Sequence, residues 1–115
     1  TNIHNYGGNS QRIFLLGHSA GGHLISLINA DPRFFAKYHL HHSIKGLILL
    51  DAFGLDMYEY LHQPSSRTDR YYQTFLQVFT RNPRVWQQAS PMHYIQNIRN
   101  PQLILVGDRT YPTIQ

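Results

Sequence analysis

Cysteine is absent from the 115 residues, so disulfide staples and thiolate chemistry are excluded, and the redox compartment stays open. Acidic residues are scarce, 6 against 10 Lys and Arg, for a formal charge of +4. The cations are scattered rather than blocked, which argues against a nucleic-acid surface. No apolar run exceeds about five residues, far short of a bilayer span, so no stable membrane insertion is expected. No signal-peptide pattern is visible, and the cytoplasm is the expected compartment. Repeats and low-complexity tracts are also missing.

What is present is a G-x-S-x-G match, Gly17-His18-Ser19-Ala20-Gly21, in an informative setting. The apolar stretch Arg12–Leu16 precedes it, as expected of a buried parallel strand. Ala20, Leu24, Leu27 and Ile28 follow at helical spacing until Asp31-Pro32 stops the pattern. A serine between strand and helix is forced onto a sharp turn that pushes its hydroxyl out over the sheet end. The flanking Gly17 and Gly21 are expected because a side chain there collides with neighbouring backbone. The competing phosphate-loop readings fail on composition. A dinucleotide turn needs G-x-G-x-x-G and a P-loop needs Lys followed by Ser or Thr, and neither occurs here.

The remaining pattern is α/β. Ile44–Leu50 reads as the next strand, and strands alternating with helices imply right-handed crossovers and a parallel sheet. Asp31-Pro32 suits the cap and first turn of a short helix through Tyr38. Between Asp51 and Pro101 there is no clear strand. Leu55–Leu61 is weakly helical, and Thr68 is placed to cap a helix through Phe79 with Tyr72, Phe75, Leu76 and Phe79 on one face. Asn82-Pro83 starts another short helix carrying Val85 and Trp86. Most of these aromatics are expected to pack the insertion onto the sheet.

Gly17-His18-Ser19-Ala20-Gly21-Gly22-His23-Leu24 resembles the nucleophile elbow of α/β-hydrolase esterases and lipases of the carboxylesterase and hormone-sensitive-lipase-like group, which includes kynurenine-formamidase-like enzymes. Asn5–Ser10 resembles the loop ending their preceding helix, Trp86 and Ala89-Ser90-Pro91 the segment entering their next strand, and Pro101–Gly107 the strand bearing their acid. The resemblance implies a partial α/β-hydrolase domain over 1–115. Its parts are the elbow strand and helix at 12–30, the next strand at 44–50, a helical insertion at 52–100 and an acid-bearing strand at 102–107. A complete domain of that fold runs to roughly twice this length, so the chain is expected to be an interior piece of a larger enzyme.

The implied chemistry is cleavage of a small carboxylic ester through an acyl-serine, with no cofactor and with a small-molecule ester substrate as partner. Ser19 is the nucleophile and the Ala20 amide the oxyanion donor from the elbow side. A second donor is expected from a glycine-rich loop before Thr1. The family's acid usually stands three residues after the glycine, where this chain has Thr110. Asp108 is the first substitute and Asp51, ending the preceding strand, the second. Asp56 resembles a structural aspartate of the family.

The base should be a histidine after the acid, and none follows His93. Of the eight histidines, His18 diverges from its neighbour on the turn, His23 lies behind it and packs or caps, and His93 belongs to a surface or helix cap. The cluster His39, His41 and His42 lacks the spacing of a zinc site, so no metal is expected. The 115 residues alone are therefore expected to hydrolyse esters poorly or not at all. Two alternatives stay open: an N-formyl arylamine formamidase, and a catalytically inactive hydrolase scaffold used for binding.

Overall fold

Three short apolar segments pair in parallel, with the middle one in sequence also in the middle of the sheet. The computed structural model describes residues 2–40, 42–111 and 114. Strand β1 is Ile13–His18, β2 is Ile44–Leu50 and β3 is Gln102–Leu105. Leu15 pairs with Leu47 and Leu16 with Ile48, while Ile48 pairs with Leu103 and Leu50 with Leu105. Parallel neighbours need a crossover, and helices supply it: α1 (Ala20–Ala30) and α2 (Pro32–Ala36) between β1 and β2, then α3 (Met57–His62), α4 (Tyr72–Phe79) and α5 (Pro83–Gln88) before β3. The α/β reading of the sequence holds. β2 has the expected bounds, β1 runs two residues further than its apolar run, and β3 ends before Val106.

Helix α1 packs on the sheet through small residues. Gly22, Ser26 and Ala30 are its buried positions, at i, i+4 and i+8, whereas Leu24 is 58% exposed. The sequence pattern pointed to a Leu24–Leu27–Ile28 stripe instead. The reason is proximity: a Cβ on Gly22 would stand 2.6 Å from the Cβ of Ala52, so a larger contact face has no room there. Beneath the helix, Leu47 and Leu49 are fully buried together with Ile44 and Ala52, and Ile13, Leu15 and Ile25 pack around them. Side chains alternate across a strand, so Phe14 and Leu16 point to the other sheet face. They are 66% and 62% exposed, because no described element covers that face.

Asp31 joins α1 to α2. The proline that follows pushes it to extended backbone, which stops α1, and its carboxylate accepts the Arg33 amide at 3.0 Å as the cap of α2. The Arg33 guanidinium bonds the same carboxylate at 2.6 Å and holds its pKa below the usual range. Helix α2 ends at Ala36, short of the expected Tyr38, and His39 just beyond adopts φ +54°.

The insertion between β2 and β3 has its own aromatic core. Phe53, Met57, Tyr60, Leu61, Tyr72, Leu76 and Trp86 are buried there, with Phe75 and Phe79 against them. Phe53 stacks on Phe75 at 4.6 Å and meets the ring of Tyr60 edge-on at 5.0 Å. Such pairs contribute about 0.5–1.5 kcal/mol each beyond area burial. The expected shared face of α4 is what enters this core. Its start differs, because Thr68 ends a 3-10 turn, Pro64–Thr68, and bonds back to the Ser65 carbonyl. Asp69 caps the following turn instead by accepting the Tyr71 amide at 2.8 Å.

Asn82 caps α5 as expected, and Asp56 caps α3 by accepting the Glu59 amide at 2.9 Å. Ser90, 2% exposed, locks α5 to α3: its hydroxyl donates to the Trp86 carbonyl at 2.7 Å and accepts the Tyr58 amide at 2.9 Å. Among the described residues, no helix is long and apolar enough to cross a membrane.

Candidate active site

β1 ends at His18 and α1 begins at Ala20, so one residue makes the whole change of direction. That residue is Ser19, with φ +51° and ψ −119°, a conformation side-chain-bearing residues rarely adopt. Three backbone hydrogen bonds hold it there. Its amide donates to the Leu50 carbonyl at 2.9 Å, and its carbonyl accepts the His23 and Phe53 amides, each at 3.2 Å. A serine in this place commonly caps the helix, but the Ser19 hydroxyl does not, and it has no hydrogen bond among the described residues. The result is a half-buried, unengaged hydroxyl at the carboxyl end of the sheet.

Two glycines make the turn sterically feasible, and one differs from expectation. A Cβ on Gly17 would stand 2.5 Å from the Gly21 carbonyl oxygen, closer than real contacts allow. A Cβ on Gly21 would meet nothing within 4 Å, so the collision argument fails there. Gly22 carries that constraint instead, against Ala52, because it faces the sheet while Gly21 does not.

Ala20 is the first residue of α1, so its amide is among the four without an intrahelical partner. The helix start adds partial positive charge at this point.

The two candidate acids are placed differently. Asp51 follows β2 directly and, like Ser19, has positive φ, +43°. Its amide donates to the Leu105 carbonyl at 2.8 Å, and its carboxylate Oδ1 accepts the Gly107 amide at 2.7 Å. Asp108 is exposed in the turn after β3 and makes no hydrogen bond or ion pair among the described residues. Thr110 is half-buried in the same turn.

The histidines do not gather here. No described histidine ring is hydrogen-bonded to the Ser19 hydroxyl or the Asp51 carboxylate. His18 is exposed at the end of β1, His39 and His42 are remote in sequence, and His41 lies outside the described residues. His93 packs edge-on against Tyr94 at 5.0 Å. Among the described residues no group of three His, Asp or Glu is placed to hold a metal ion.

His23 is held behind the turn: Nε2 lies 2.7 Å from the Ala89 carbonyl, and its ring meets Phe79 edge-on at 5.7 Å. Burial pushes its pKa down, the Ala89 carbonyl opposing in part, so the imidazole stays neutral with Nε2 protonated. The stabilising contribution is complete above the unfolded value of about 6.5 and is lost as pH falls through the lower folded value. We expect Tm to fall between pH 7.5 and pH 5.5, and His23→Gln, which keeps a donor but cannot titrate, to flatten that slope. Equal slopes for both proteins would contradict the assignment.

Cavities flank the sheet at both ends. One, of about 420 Å³, opens near the starts of β2 and β3 and is lined by His42, Lys45 and Arg99 among others. A second, about 280 Å³, lies beside the serine turn, lined by Ala52, Phe53, Glu59, Tyr60 and Ser66. Its neighbours Ala52 and Phe53 are the residues that touch Gly22 and bond Ser19. Burial, reinforced by the Asp69 carboxylate, pushes the Tyr60 phenol pKa up and keeps it a neutral hydroxyl. No described cavity includes Ser19 itself in its wall.

Sequence comparison adds one result: the family model BD-FAE matches residues 1–112. No curated protein and no solved structure matches the chain.

Proposed function

We propose that this chain, which belongs to the BD-FAE family of α/β-hydrolase-like esterase domains, carries the nucleophile of a serine hydrolase that cleaves small carboxylic esters. The observation that supports the reading is the Ser19 hydroxyl, unbonded and held at φ +51° between β1 and α1. In this mechanism Ser19 Oγ attacks the ester carbonyl carbon as its proton passes to a base. The ester C–O bond then breaks, the alcohol leaves with that proton, and water hydrolyses the acyl-serine. The Ala20 amide and the start of α1 stabilise the negative oxygen of the tetrahedral intermediate. The reading requires an imidazole at this rim, and residues 2–40, 42–111 and 114 offer none bonded to Ser19.

A fluorophosphonate probe tests this directly. Covalent labelling at Ser19, located by peptide mapping and lost in Ser19→Ala, is the expected outcome. Absence of labelling on folded protein supports the second reading, a binding scaffold, which Thr110 at the family's usual acid position favours. A panel of p-nitrophenyl acetate and N-formylkynurenine separates ester from formamide cleavage, and preference for the formamide would replace the ester assignment.

A further inference from the structure

Asp51 and Ser19 are bound into one local structure. Backbone groups just before and two residues after Asp51 bond Ser19: the Leu50 carbonyl accepts its amide, and the Phe53 amide donates to its carbonyl. Asp51 is thus carried beside the serine by a backbone clasp, while Asp108 hangs in an exposed turn with no bond to fix its carboxylate. Asp51 is also held on its own account. Its backbone is kept at φ +43° by the Leu105 bond, and its Oδ1 is fixed by the Gly107 amide at 2.7 Å. A left-handed backbone at a non-glycine residue costs energy, and here the surrounding bonds determine it. The bond to Gly107 uses one carboxylate oxygen; Oδ2 has no hydrogen bond among the described residues.

We propose that Asp51, rather than Asp108, is the carboxylate that orients the catalytic imidazole, with the Gly107 amide fixing one oxygen and Oδ2 receiving the imidazole N–H. The assignment rests on the serine-hydrolase reading above. Asp51 is a positioning residue: it sets the imidazole tautomer and stabilises the imidazolium formed when Ser19 gives up its proton. The sequence ranking of Asp108 first followed distance from the strand end, which says nothing about whether the carboxylate is anchored.

Asp51→Asn and Asp108→Asn in the full-length protein decide the matter. Asparagine keeps an acceptor for the Gly107 amide, so the loop stays clamped while the charge is removed. For Asp51→Asn we expect kcat to fall by about 10⁴-fold with KM and Tm unchanged, and for Asp108→Asn a change of less than about tenfold. A purely structural role for Asp51 would move Tm and leave kcat of the folded Asn variant near wild type, which overturns the proposal. So does an Asp108→Asn loss equal to or larger than that of Asp51→Asn. Failure of the underlying reading looks different: wild type itself would then show no ester turnover, or Ser19→Ala would retain it whatever the carboxylates do.

Discussion

Ser19→Ala in the full-length protein is expected to lower kcat for a short-chain ester by about 10⁶-fold, and Ser19→Gly to do the same while raising Tm. The first effect follows from removing the attacking oxygen, the largest single loss known for such sites. The second follows from the backbone. At φ +51° and ψ −119° the serine Cβ makes the turn strained, at a cost of about 1–3 kcal/mol. Glycine removes that strain, and its greater unfolded-chain entropy returns only about 0.5–1 kcal/mol of it. Alanine keeps the Cβ and the strain, so its Tm should match wild type. An inactive Gly variant melting a few degrees above both others is the signature of strain held for function. Melting at or below wild type would show that the turn stores none. The hydroxyl contributes nothing to folding that glycine would forfeit, since it makes no hydrogen bond among the described residues.

Trp86→Ala carries the largest expected stability effect, about 3–5 kcal/mol in urea unfolding. Trp86 is 8% exposed in the insertion core, and its indole N–H donates to the Thr80 carbonyl at 2.9 Å. Truncation removes the ring from the cluster of Phe53, Met57, Tyr60 and Leu61 and leaves a cavity this close-packed cluster fills poorly. Trp86→Phe separates the two terms: it keeps most of the apolar volume and loses the hydrogen bond, for about 1–2 kcal/mol. A loss below about 1 kcal/mol for alanine would mean the insertion core is not cooperative with the sheet. Cooperativity is expected because Phe53 belongs to that core and bonds Ser19 through its amide. A destabilised insertion should then also slow fluorophosphonate labelling.

Local chemistry was legible in the sequence. Two helix caps, Asp31 and Asn82, were readable because an Asp-Pro or Asn-Pro pair sets its own backbone and cap within three residues. Leu47 and its neighbours announced β2 because a central parallel strand is buried along its length. The strand–serine–helix order at 13–30 was readable because glycine flanking a serine after an apolar run leaves few other conformations.

Contacts between distant segments were not legible. Gly22 rather than Gly21 is the crowded position because Ala52, thirty residues on, lies against it. The buried stripe of α1 is Gly22–Ser26–Ala30 because helix and sheet approach too closely for leucine. Thr68 does not cap α4 because Pro64–Thr68 closes a turn of its own, and α4 starts at Tyr72 without a side-chain cap.

The serine turn was therefore determined by the sequence itself, since its requirements are met within a few consecutive residues. Which of Asp51 and Asp108 has its carboxylate anchored belonged to the tertiary structure. A carboxylate's usefulness depends on what fixes its oxygens, and the amide that fixes Asp51 lies on another strand's end, 56 residues away in the chain.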